Sequence, residues 1–139
     1  MFLFIWEMTQ TALIRSAKEQ MREVPKSLLW DECYGQVELL QGVHVFRSAK
    51  NGDSTALKVL DTYINHLAMG LANLINILQP EMICLGGGIS NAQDELFLNP
   101  LREQTKKYVF DKAAALCLER STLGNDAVLV GAAMLCRSL

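Results

Sequence analysis

Glu81-Met-Ile-Cys-Leu-Gly-Gly-Gly-Ile-Ser90 is the stretch on which the fold of this chain turns. Met82 to Leu85 is a short apolar run set off by Pro80, the pattern of a buried strand. Ser90, with Gln93 three residues on, is a capping-box pattern that opens a helix. Gly86, Gly87 and Gly88 lie between the two. A strand, a glycine turn and a helix start bring free main-chain N–H groups to one point. The donors and the helix dipole both favour an anion there, phosphate above all. The structural alternative is a tight turn that needs positive backbone angles. One glycine commonly meets that need, and three in succession exceed it.

Two familiar phosphate motifs are excluded. No Lys-Ser/Thr pair follows at P-loop spacing, and Asn91 stands where the dinucleotide fingerprint requires its last Gly or Ala.

Upstream, residues 9–22 read as a helix that stops before Pro25. Residues 27–34 and 43–50 read as shorter helices in a less regular region. Asn51-Gly-Asp53 is a turn, with Asp53 or Ser54 capping the next helix. From Ser54 to Leu78, the residues Leu57, Leu60, Ile64, Leu67, Leu71, Leu74 and Leu78 recur at helical steps, and Pro80 ends the helix. Ala68, Gly70 and Ala72 let another element come close.

Downstream, Pro100 suits the first turn of a helix reaching about Val109. Residues 114–120 read as a second strand or as a helix. Gly124-Asn-Asp126 is a break, and Asp126 caps a last helix ending near Arg137. Helices first, then strand, helix, strand and helix, predict a single α/β layered domain with a parallel strand pair.

The 139 residues suffice for one core, and the net charge of -2 points to neither nucleic acid nor an anionic membrane. Residues 1–6 are apolar but too few for a membrane span, and they lack the features of a signal peptide. They read as a chain that starts inside a fold. Cys33, Cys84, Cys117 and Cys136 are widely spaced, without a zinc pattern. Three of them have apolar neighbours, which suggests buried thiols in a reducing compartment, the cytoplasm.

No Ser/His/Asp set, paired carboxylates or metal cluster is legible, so no catalytic residue is assigned. His66, on the flank of the long helix, reads as a packing residue, and His44 as a core one. Asp53 and Asp126 read as caps before ligands, and Lys106-Lys107 as a solvated face. Glu7, between Trp6 and Met8, is either a first-turn dipole partner or a site residue.

Four segments together carry a resemblance: Asn51-Gly-Asp-Ser-Thr-Ala-Leu57, Gly70-Leu-Ala-Asn-Leu-Ile-Asn-Ile-Leu-Gln-Pro80, Ile83-Cys-Leu-Gly-Gly-Gly-Ile-Ser90 and Gly124-Asn-Asp-Ala-Val-Leu-Val-Gly-Ala-Ala133. In order and spacing they resemble the C-terminal half of the ROK family, which groups bacterial sugar kinases with sugar-responsive repressors. The resemblance covers residues 51–139 and, more weakly, residues 11–18.

It implies an actin-like, ribonuclease-H-like ATPase fold, here as the C-terminal lobe only. It further implies transfer of the γ-phosphoryl group of Mg-ATP to a hexose, with Gly86, Gly87 and Gly88 as nucleotide contacts. Glu7 matches the position of a family glutamate that binds sugar hydroxyls, although Phe2 to Trp6 replaces the zinc loop that leads into it. The family's Asp-x-Gly-Gly-Thr phosphate motif, catalytic aspartate and zinc-binding histidine and cysteines all precede the segment seen here. The resemblance therefore implies the C-terminal part of a hexose kinase, glucokinase-like, inactive alone and commonly dimeric. The alternative is the effector-binding half of a repressor, which would bring a DNA-binding segment. The intact glycines favour the kinase.

Overall fold

A computed structural model describes residues 10–86, 93–111 and 118–120. The elements in chain order are α1 (Gln10–Glu23), α2 (Leu29–Glu32), a 3-10 turn (Val37–Leu39), α3 (Gly42–Lys50), α4 (Ser54–Leu78), β1 (Ile83–Leu85), α5 (Leu98–Thr105) and β2 (Leu118–Arg120). Glu7, Gly87, Gly88, Ser90 and the stretch from residue 121 onward, with its expected cap and last helix, lie outside the described residues.

The 25-residue helix α4 organises the rest. Asp53 caps it: Oδ1 accepts from the N–H of Ala56 at 2.8 Å. Oδ2 accepts from the N–H of Leu28 at 2.6 Å, which fastens the start of α2 to the start of α4. Gly52, at φ 83°, makes the turn before the cap. At the other end Gln79 takes a left-handed conformation (φ 45°), its N–H reaching Ile75 O at 2.9 Å, and Pro80 prevents continuation.

Helices α1, α3 and α5 pack on α4. One core joins Leu13, Ala17 and Met21 of α1, Val45 and Ala49 of α3, Val59, Leu60, Tyr63, Ile64, Leu67 and Leu71 of α4, and Leu101 of α5. Leu118 of β2 belongs to it too. Phe46 meets Phe97 edge to face with centroids 5.8 Å apart, and so seats the entry to α5. The apolar stripe of α4 runs past this core. Leu57, Leu74 and Leu78 are exposed, while Ala72 and Ile75 turn instead toward Val109 and Ile83 in a second, smaller cluster. Leucine spacing gives the phase of a helix face, but the neighbouring elements decide how far along it burial extends.

β1 and β2 are parallel, with Ile83 opposite Leu118, Cys84 opposite Glu119 and Leu85 opposite Arg120. A parallel pair needs a crossover, and α5 lies within it. Arg102 of α5 donates from Nε and Nη2 to the carbonyl of Leu118 (3.1 and 2.7 Å), and its Nη2 lies 3.1 Å from Glu119 Oε1. These bonds hold the helix to the strand.

Pro100 falls within the first turn of α5, as its fixed φ favours, but the helix stops at Thr105, short of Val109. Residues 27–34 form only the four-residue α2, because Gly35 and Tyr34 both take positive φ and turn the chain. Cys33 is buried, whereas Cys84 is exposed. Among the described residues no helix is long and apolar enough to cross a membrane.

Candidate functional site

Both strands of a parallel pair point the same way, so the turns that come after them leave at one edge. In parallel α/β sheets ligands bind in the crevice beyond that carboxyl edge. Gly86 leaves β1 there and is exposed. Arg120, the last residue of β2, stands opposite Leu85, one residue from Gly86. The first of the three expected contact glycines and the last residue of β2 thus stand at the same carboxyl edge, where an anion is expected. Gly87 and Gly88 lie outside the described residues.

Arg120 Nη2 forms an ion pair with Asp94 Oδ1. Asp94 lies in the turn that leads into α5, and its carbonyl accepts from the N–H of Asn99 at 2.9 Å. Sequence reasoning did not single out Arg120. A signal was available: once residues 114–120 are taken as a parallel strand, their last residue must flank the glycine turn.

Among the described residues, three of the clefts lie elsewhere. One of about 310 Å³ is lined by Ile75, Asn76, Gln79, Pro80, Phe110 and Asp111. Those residues precede β1 and β2, so this cleft sits where the strands begin, away from Gly86. Its amide is committed: Asn76 Nδ2 donates to Tyr108 O at 3.0 Å, and Asn76 Oδ1 accepts from Phe110 N at 3.0 Å. A second, of about 330 Å³, includes Tyr34, His44 and Arg47. There Arg47 Nη1 lies 2.8 Å from Glu32 Oε2, and His44 Nδ1 accepts from the N–H of Gln41 at 3.2 Å. His44 is therefore a half-exposed helix cap, not a core residue as its apolar neighbours had suggested. The third, of about 50 Å³ between α1 and α4, touches Ser16, Thr62, Tyr63 and His66 and is too small for a metabolite. His66 is half-buried in this packing seam. Burial pushes the Tyr63 phenol up to about 12, far from the range of a general base at neutral pH.

Among the described residues no group of three or more His, Cys, Asp or Glu side chains could hold a metal ion. Asp94, the first acid after the glycine turn in sequence, is paired with Arg120.

Comparison with known proteins gives this edge a context. The model of the ROK family matches residues 8–138. The chain is 35% identical over 124 residues to a glucokinase of Thermotoga maritima, covering 88% of this chain and 38% of that protein. It is 37% identical over 122 residues to a glucokinase of Halalkalibacterium halodurans, covering 87% of this chain and 36% of the relative. An N-acetyl-D-glucosamine kinase of Pectobacterium atrosepticum is 30% identical over 107 residues, or 77% of this chain and 34% of its own length. Among solved structures, a ROK family glucokinase from Streptomyces griseus in complex with glucose and AMPPNP superposes with a TM-score of 0.85 at 27% identity, over 98% of this chain and 45% of that one. The chain thus spans less than half the length of the proteins it matches, and it shares the actin-like ATPase fold of these kinases.

Proposed function

Because the chain belongs to the ROK family, we propose that it is the C-terminal, nucleotide-side lobe of an ATP-dependent hexose kinase of the glucokinase type. Gly86, Gly87 and Gly88 offer main-chain N–H groups to the phosphates of ATP, and their bare α-carbons let the nucleotide come close. The observation that carries this assignment is the place of Gly86: exposed, at the carboxyl edge of a parallel pair, with a guanidinium on the adjacent strand. The similar glucokinase structure holds AMPPNP and glucose, which supports nucleotide and sugar as the two ligands.

In such a kinase a hexose hydroxyl oxygen attacks the γ-phosphorus, the hydroxyl proton passes to a base, and ADP departs. The barrier falls by positioning and by stabilising charge on the phosphoryl oxygens. The glycine turn supplies the second of these from one side of the cleft. On the family resemblance, this chain alone is proposed to bind nucleotide without turning over. Magnesium would arrive on the phosphates, since the described residues near the turn have no free carboxylate cluster to hold it. Glu7 is proposed, on the family resemblance, to hold sugar hydroxyls. Homodimerisation is proposed as well, supported by the exposed apolar residues Ile77, Leu78, Met82 and Phe110 around the end of α4.

Calorimetric titration of the 139-residue chain with Mg-ADP tests the assignment. Saturable binding that is abolished by Gly87→Val, with no phosphorylation of glucose by the chain alone, is expected. A folded chain that takes up no nucleotide at millimolar concentration would remove it.

A further inference from the structure

We propose that the cleft between α2 and α3 binds a small hydroxylated primary amine, of the size of a hexosamine. This site is separate from the glycine turn and rests on neither the nucleotide nor the kinase assignment. Two observations carry it.

The first is Tyr34. It follows the end of α2 in the left-handed region, at φ 54°, where glycine is the usual residue. Its N–H reaches Asp31 O at 3.1 Å, and the N–H of Gly35 behind it reaches Trp30 O at 2.8 Å. A Cβ is strained in that conformation. The ring does not offset the strain by packing, because Tyr34 is 85% exposed. Its phenol makes no hydrogen bond among the described residues. The fold thus holds a strained aromatic side chain outward without using it, which marks a group placed for an outside contact.

The second is the company this ring keeps. Asp31, Glu32, Tyr34, His44, Arg47 and Asn51 line a cleft of about 330 Å³. Glu32 and Arg47 neutralise one another at 2.8 Å. The carboxylate of Asp31 is left over, with no hydrogen bond or ion pair among the described residues. His44 spends Nδ1 on the N–H of Gln41, so the neutral ring keeps Nε2–H as a donor. The side-chain amide of Asn51 is likewise unpaired among the described residues.

Size and charge together select the ligand. The volume lies at the small end for ligand pockets, right for a monosaccharide-sized molecule and short for a nucleotide. With Arg47 committed to Glu32, an anion would meet the bare Asp31. A cation finds there a carboxylate to pair with and, at Tyr34, an aromatic face. The donors of His44 and Asn51 suit hydroxyl oxygens on the same molecule. Because the cleft is open to solvent, each contact is worth little and the affinity is about millimolar.

The experiment titrates the 139-residue chain with D-glucosamine and follows its amide signals by NMR. D-glucose, of the same shape without the charge, is the control. The variants are Y34G and D31N, each also unfolded in urea. Saturable shifts at Gly35 and at the backbone and side-chain amides of Asn51 are expected with D-glucosamine, and binding of D-glucose weaker by about fivefold or more. Each variant should weaken D-glucosamine about two- to fivefold. Y34G gives the turn the residue its backbone favours, so its urea midpoint should rise, and lost binding is then not lost fold. No saturable shift at these residues by about 50 mM D-glucosamine overturns the proposal. So does an equal response to D-glucose, undiminished binding by either variant, or a lower midpoint for Y34G. None of these results touches the nucleotide assignment, which Mg-ADP tests separately.

Discussion

Replacing Asp53 with alanine removes two hydrogen bonds that a single carboxylate makes to two helix starts. The Oδ1 bond to Ala56 N is an N-cap, and its loss costs about 1 kcal/mol. The Oδ2 bond to Leu28 N, at 2.6 Å, is charge-assisted and partly buried; leaving that N–H without its acceptor costs about 1–3 kcal/mol. Together the loss is about 2–4 kcal/mol, a large share of the about 5–15 kcal/mol by which a domain is folded. Asp53→Asn keeps one carbonyl oxygen for the cap but turns an amide donor toward Leu28. It should cost about 1–2 kcal/mol, clearly less than alanine. Urea denaturation followed by circular dichroism reads both values from the midpoints at constant slope. If alanine lies within about 0.5 kcal/mol of wild type, or asparagine costs as much as alanine, Asp53 does not join the two helices as described.

Other consequences come from packing and charge. Leu101→Ala opens a hole between α5 and α4 at a fully buried position and should cost about 2–5 kcal/mol by the same denaturation assay. Tyr63, pushed up to about 12 by burial, stays neutral in the folded chain while the unfolded chain ionises near 10. Stability should be unaffected by Tyr63 below pH 10 and fall by up to about 2–3 kcal/mol as pH rises toward 12, a loss that Tyr63→Phe abolishes. Alkylation with iodoacetamide and peptide mapping should show the exposed Cys84 modified in the native chain while Cys33 stays protected until unfolding.

Local chemistry was legible in the sequence. Asp53 declared itself by the Asn-Gly-Asp turn, and α4 spans the full Ser54–Leu78 stretch that Pro80 and the cap delimit. Short elements were less so. The 3-10 turn Val37–Leu39 has no periodic pattern, and α2 is too brief to show one. Which leucines of α4 are covered depends on where α1, α3 and α5 lie, which helix phase alone does not contain. The same holds at the site. Gly86 could be singled out as a candidate because its turn signal is written in consecutive residues. Arg120 and Asp94 are 26 positions apart and meet only through the parallel register, so their pairing is tertiary information. His44 shows the converse: an apolar setting suggested the core, but its ring nitrogen was needed by the N–H of Gln41.

Selective ¹⁵N-glycine labelling of the chain offers the most direct test of the phosphate site. On titration with Mg-ADP, the amide signals of Gly86, Gly87 and Gly88 should shift together and saturate, while Gly35 and Gly52, in turns that belong to other parts of the fold, stay in place. Shifts spread evenly over all glycines, or none at residues 86 to 88 in a folded sample, would contradict a nucleotide held at that edge.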